Sequence, residues 1–114
     1  MAIQEAFSGS ATIGVTETSL VSGTTTLQNN TTDGIYQIWV DFSNMLAGDE
    51  YEIDIKEKVT SAGTQRSIFT SYLEGRQGSP FVTPTLIFLH GWDVTVTKIS
   101  GTDRVITWSI RQVA

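Results

Sequence analysis

Tyr51-Glu52-Ile53-Asp54-Ile55-Lys56 places an apolar residue at every odd position and a charged one at every even position. Side chains alternate across a strand with a period of two, so this segment reads as a ribbon with one face in a core and the other in water. The pattern recurs. Tyr36, Ile38, Val40 and Phe42 form an apolar row, with Ile35, Gln37, Trp39 and Asp41 on the opposite face. Trp92, Val94 and Val96 alternate with Asp93, Thr95 and Thr97, and Ile106, Trp108 and Ile110 alternate with Thr107, Ser109 and Arg111. Tyr51 to Val59 is expected as one strand, joined through the turn Ser61-Ala62-Gly63-Thr64 to an antiparallel partner over Arg66 to Leu73. Ser100-Gly101-Thr102-Asp103 is the strongest turn signal and leads into a strand over Arg104 to Val113.

Other segments depart from the alternation. Ser43 to Asp49 connects two strands, with room for one helical turn at Met45-Leu46-Ala47. Glu74 to Pro84 carries both prolines and reads as the longest loop. Thr85 to His90, built on Leu86-Ile87-Phe88-Leu89, reads as an apolar strand, central and covered on both faces, with a bend at Gly91. In the first third, Ala6 to Val15 reads as a strand with a bulge at Gly9, and Val21 to Thr32 as either a loop or a polar strand. No long segment has a helical period, so helix should stay below about 10%, far under the usual third. The result is an all-β fold of about seven or eight strands. The first expectation is an antiparallel two-layer β-sandwich, jelly-roll-like, with a closed barrel second. One domain spans residues 1–114, in which residues 1–33 are a candidate N-terminal arm that orders on a partner.

Composition narrows the partners. Of the 114 residues 17% are charged, against about 25% typically, and Ser and Thr fill the difference. The net charge is −5 and the pI about 4.6. The seven Lys and Arg are scattered, so neither nucleic acid nor an anionic membrane is an expected partner, because phosphate contact needs a basic patch. The absence of cysteine excludes disulfides and thiol catalysis. Leu86 to Leu89 is too short to cross a bilayer, and Met1 to Glu5 lacks a basic n-region, so synthesis in a cytosol is expected.

Candidate chemistry is sparse. His90 is the only histidine, and Asp93 is the only carboxylate near it in sequence; a strand-end His at a bend is the expectation. Glu52 and Asp54 share one strand face about 7 Å apart, a spacing glycoside hydrolysis can use. Lys56 and Lys58 continue that stretch, however, which favours a solvated face. Asp49-Glu50 lacks the alternating oxygen ligands of a calcium loop, and Glu74-Gly75-Arg76-Gln77-Gly78 is no phosphate cradle. The sequons at Asn29 and Asn30 lack a secretion signal to give them meaning. The chain is therefore read as non-enzymatic, without cofactor or metal. Trp39 lies on the less apolar face of its strand and is the one candidate partner-contact residue, free to stack on a sugar or anchor an interface unless the N-terminal third covers it. Trp92 and Trp108 fall on core rows.

A resemblance adds to this reading. Gly34-Ile35-Tyr36, Val40-Asp41, Met45, Gly48-Asp49, Arg66, Gly91-Trp92-Asp93-Val94, Gly101-Thr102-Asp103-Arg104 and Trp108-Ser109-Ile110-Arg111 together resemble small β-sandwich virion proteins of tailed bacteriophages, over residues 34–113. These are cysteine-free proteins of this length. The resemblance implies a capsid decoration (cement) protein on the outside of a shell, made in the host cytoplasm. It further implies a homo-oligomer, most often a trimer, with the major capsid protein as its partner. No catalytic residue carries over. A tail, neck or fibre component is the alternative within a virion. A carbohydrate-binding β-sandwich using Trp39 is the alternative outside one.

Overall fold

The computed structural model describes residues 2–114, and among them there are nine strands and no helix. They are β1 (Gln4–Ile13), β2 (Thr18–Ser19), β3 (Gly34–Asp41), β4 (Glu50–Glu57), β5 (Arg66–Glu74), β6 (Phe81–Val82), β7 (Leu86–Phe88), β8 (Asp93–Ser100) and β9 (Arg104–Gln112). Sheet I runs β1-β9-β3, and the far edge of β3 is taken first by β7 and then by β6; sheet II runs β2-β8-β4-β5. Every pairing is antiparallel.

With β6 and β7 counted as one interrupted strand, β1 pairs β9, β2 pairs β8, β3 pairs β6/β7 and β4 pairs β5. That is one long hairpin folded over itself into two four-stranded sheets, the jelly-roll connectivity. The thin dimension of the molecule is 20 Å, which suits two sheets packed about 10 Å apart with their outer side chains.

The alternating rows face each other across the interior. Tyr36, Ile38, Val40 and Phe42 from sheet I meet Tyr51, Ile53 and Ile55 from sheet II. Trp92, Val94 and Val96 meet Ile106, Trp108 and Ile110, and all of these are buried. Trp92 is the aromatic centre. Its ring stacks on Phe88 at 4.4 Å between centroids, lies 4.7 Å from Tyr36 and meets Phe7 edge-on at 5.8 Å. Trp92 Nε1 and the Tyr36 hydroxyl both donate to the Thr32 carbonyl, at 3.0 Å each. The indole thereby ties β1, β3, β7 and β8 to the chain entering β3.

Several expectations change. The Tyr51 row stops at Glu57, not Val59, which is 83% exposed. The chain turns away because the Glu57 carboxylate collects the amides of Lys58, Leu89 and Gly91 at 2.6–2.8 Å. Thr85 to His90 is not a central strand. Only Leu86–Phe88 pairs, at the edge of sheet I, and Ile87 and Leu89 point outward, 76% and 52% exposed. Pro84 explains the interruption, since it has no amide to donate to a ladder; next to it the Thr83 hydroxyl accepts the Ile38 amide at 3.1 Å.

The bulge in β1 lies between Glu5 and Phe7. Gly9 instead pairs with Trp108, and a Cβ there would sit 3.0 Å from the indole, so glycine makes room for the ring. Met45-Leu46-Ala47 is part of a non-helical turn. Val21 to Thr32 is a loop with one isolated β-bridge to the body, between Asn30 and Trp92, and side-chain hydrogen bonds at Gln28 and Thr32.

Candidate functional site

β9 is the middle strand of a three-strand outer face. Its partners in register are β3 on one side and β1 on the other. Residues directly opposite each other in a ladder point the same way, so the outward side chains fall into three rows. Gln37, Arg111 and Glu5 form the first, Trp39, Ser109 and Ser8 the second, and Asp41, Thr107 and Ser10 the third. The face lines a groove of about 460 Å³, with Pro80 at one side. That is within the range of small-molecule sites.

Trp39 is half-buried in it. Its Nε1 donates to Gln37 Oε1 at 3.0 Å, and the Arg111 guanidinium carbon lies 4.1 Å from the ring centroid, a cation–π contact. Arg111 Nε donates to Ser109 Oγ at 3.2 Å, and Ser109 Oγ donates to Glu5 Oε2 at 2.5 Å. The Ser109 and Ser8 hydroxyls hold the Glu5 carboxyl below its ordinary pKa, helped by the nearby Arg111 charge. Asp41 accepts the Ser43 amide through Oδ1. Ser43, through its hydroxyl and its amide, holds Asp41 below its ordinary pKa, while the Thr107 and Ser10 hydroxyls and the terminal nitrogens of Arg111 form no hydrogen bond among the described residues.

The other sequence candidates are placed elsewhere. The Asp93 carboxylate does not reach His90. It accepts the Ser19 hydroxyl at 2.7 Å and the amides of Gln28 and Val94 at 2.8 Å each. Burial pushes Asp93 above its ordinary pKa despite these bonds. Through this carboxylate and the Asn30–Trp92 bridge, the loop after β2 is pinned across the outer side of β8, where Asp93 and Thr95 are buried although they face away from the core. Asp54 is not solvated either: it is 8% exposed and accepts Ser67 Oγ at 2.8 Å and Thr70 Oγ1 at 3.1 Å. Lys56 pairs with Glu17 at 2.6 Å. No group of three or more His, Cys, Asp or Glu able to hold a metal ion occurs among the described residues.

Asp49 is a structural clasp. It accepts the amides of Leu46 and Thr102 at 2.9 Å each and Arg104 Nε at 2.8 Å, tying the β3–β4 connection to the β8–β9 turn. Those bonds, the two backbone amides first and Arg104 next, lower its pKa to about 2. An unfolded Asp titrates near about 3.9, so the clasp contributes fully above that value and is lost as pH falls from about 4 through about 2. Asp93 has the opposite sign: its raised pKa favours folding at low pH, and that contribution fades as pH rises through the folded value. Thermal unfolding followed from pH 6 to pH 2 should therefore show a falling melting temperature. Asp49→Asn should flatten the fall and Asp93→Asn should steepen it.

No family model matches the chain, and no curated protein or solved structure matches it. Two surfaces of the molecule are candidates for function. Besides the groove, the main one is the rim where β5 ends sheet II and β6–β7 ends sheet I, with Phe69 of β5 against Phe81 of β6 at 6.3 Å. Ile68, Phe69, Tyr72, Val82, Ile87 and Leu89 are all exposed on these strands or next to them. Along the opposite rim the exposed positions within β1 itself are polar, Gln4, Glu5, Ser8, Ser10 and Thr12, with exposed Ile3 and Val15 just beyond its ends. Sequence reasoning missed the apolar rim because it took an apolar run for a buried strand.

Proposed function

We propose that this chain is a non-enzymatic structural protein of a phage particle, a capsid decoration protein that binds the shell and its own copies through the β5/β6–β7 rim. The observation that carries the reading is the concentration of exposed apolar side chains on that rim. A sheet edge offers unpaired backbone groups and is ordinarily guarded by charge or proline. Here Pro80 and Pro84 break one edge and Arg66 and Glu74 end the other, yet Ile68, Phe69 and Ile87 on the edge strands and Leu89 just after β7 stay exposed, and apolar surface of this kind is a feature of interaction sites. Trp39 stands opposite Val82 in the β3–β6 ladder and so borders the same rim, which keeps it a contact residue in this reading.

The mechanism is interfacial. Copies joined at the rim each present a weak contact to the shell, and linking those contacts raises the overall affinity by orders of magnitude. The virion assignment is supported by the resemblance of residues 34–113. The test uses Ile87→Asp and Ile68→Asp, both at exposed positions. Each should leave the melting temperature nearly unchanged, lower the mass in solution toward that of a monomer and abolish co-sedimentation with shells lacking the protein. Variants that assemble and sediment like the parent would refute the rim as the contact surface.

A further inference from the structure

We propose that the outer face of sheet I binds a neutral saccharide in the groove between Trp39, Arg111 and Asp41. The groove is a second functional surface that meets the rim only at Trp39 and Pro80, beside β6, while the rest of its lining lies on β1, β3 and β9, away from β5 and β7. Its polar groups are of both kinds. The Asp41 carboxylate can only accept, the terminal nitrogens of Arg111 can only donate, and the Thr107 and Ser10 hydroxyls can do either. The Arg111 nitrogens and the two hydroxyls are left without a protein hydrogen bond among the described residues while lining one groove with Asp41. A polyol is the ligand class whose neighbouring hydroxyls both donate and accept, so it satisfies such a set without adding charge.

The charge balance points the same way. The groove's ionised side chains are Glu5, Asp41 and Arg111, two acids against one base, so an anionic ligand meets net repulsion. A cation would meet Arg111 beside Trp39 at 4.1 Å, which already occupies a cation's place against the ring. The apolar side of a sugar finds the uncovered part of Trp39 and Pro80 at the groove wall. The rows span about 10 Å across three strands and about 13 Å along them. That matches the footprint of an oligosaccharide lying along the face.

Binding is measured by calorimetry with neutral tetrasaccharides of glucose, galactose and N-acetylglucosamine, and with oligogalacturonate as the anionic control. Trp39 is the one tryptophan that is not buried, so a saccharide in the groove should also shift the intrinsic fluorescence. At least one neutral saccharide should bind. Asp41→Ala and Arg111→Ala should each weaken it about tenfold or more, the loss expected for one hydrogen bond to a charged group, with unchanged melting temperature. Ile87→Asp should bind normally, which separates this site from the rim. Failure of every neutral saccharide, tighter binding of oligogalacturonate, or affinity unaffected by both groove variants would overturn the proposal.

Discussion

Replacing Trp92 by alanine should cost about 4 kcal/mol of stability, within the range for deleting a fully buried large aromatic. The indole is 0% exposed and touches Phe88, Tyr36 and Phe7, residues brought in by β7, β3 and β1. Its loss opens a cavity where both sheets and the N-terminal strand meet. It also removes the donor to the Thr32 carbonyl, one of the ties on the segment before β3. A domain of this size holds roughly 5–15 kcal/mol in total, so Trp92→Ala should remove a large share of it and lower the urea midpoint sharply. Urea titration measures this directly, and a change below about 1 kcal/mol would mean that the aromatic centre does not organise the core. Trp92→Phe should recover part of the loss, because a ring remains against Phe88.

The second large effect belongs to Gly101. Its φ is +93°, a left-handed conformation that costs an L-residue about 1–2 kcal/mol. A Cβ there would also overlap the Asp49 carboxylate and lie 2.6 Å from the Asp49 Cα. Relieving that contact moves the carboxylate away from Leu46, Thr102 and Arg104 together. Gly101→Ala should therefore cost about 3 kcal/mol, the backbone penalty plus that of overpacking. Gly48 supplies the control. Its φ is +92° but nothing lies within 4 Å of its Cβ position, so Gly48→Ala should cost only about 1 kcal/mol, the backbone part. Equal effects at the two glycines, read from urea midpoints, would remove the Asp49 clasp from the account.

The sandwich was legible because its strands obey a local rule. Tyr36 to Phe42, Tyr51 to Ile55 and Ile106 to Ile110 each alternate cleanly, and each row is buried as the alternation predicts. The turn at Ser100 to Asp103 and the hairpin at Ser61 to Thr64 were legible for the same reason, since their residues favour turns whatever lies around them. What failed was inference about the second face of a segment. Leu86 to Leu89 resembles a strand buried on both sides, but Pro84 confines it to an edge. Conversely, Asp54 and Asp93 read as solvated and are buried, because Ser67 and Thr70 in one case and the loop after β2 in the other come from elsewhere in the chain.

The groove was less legible than the core. Trp39 stood out by facing away from the apolar row of β3. Nothing in its neighbourhood in sequence announces Arg111 or Glu5, which reach it only through the β3–β9 and β9–β1 registers. Those registers join segments about 70 to 110 residues apart in the chain, so no local spacing signals them. The apolar rim is of the same kind, since it arises from two strands that happen to end their sheets on one side. Function at such surfaces is a property of the pairing order, and the pairing order is where a single sequence is least informative.

In the proposed function this sandwich works as an assembled, shell-bound structural protein. The most direct test is its mass in solution by analytical ultracentrifugation, with co-sedimentation on capsids that lack it. A homo-oligomer, a trimer, that sediments with the capsids to a saturable level is expected. A strict monomer that stays in the supernatant would contradict it.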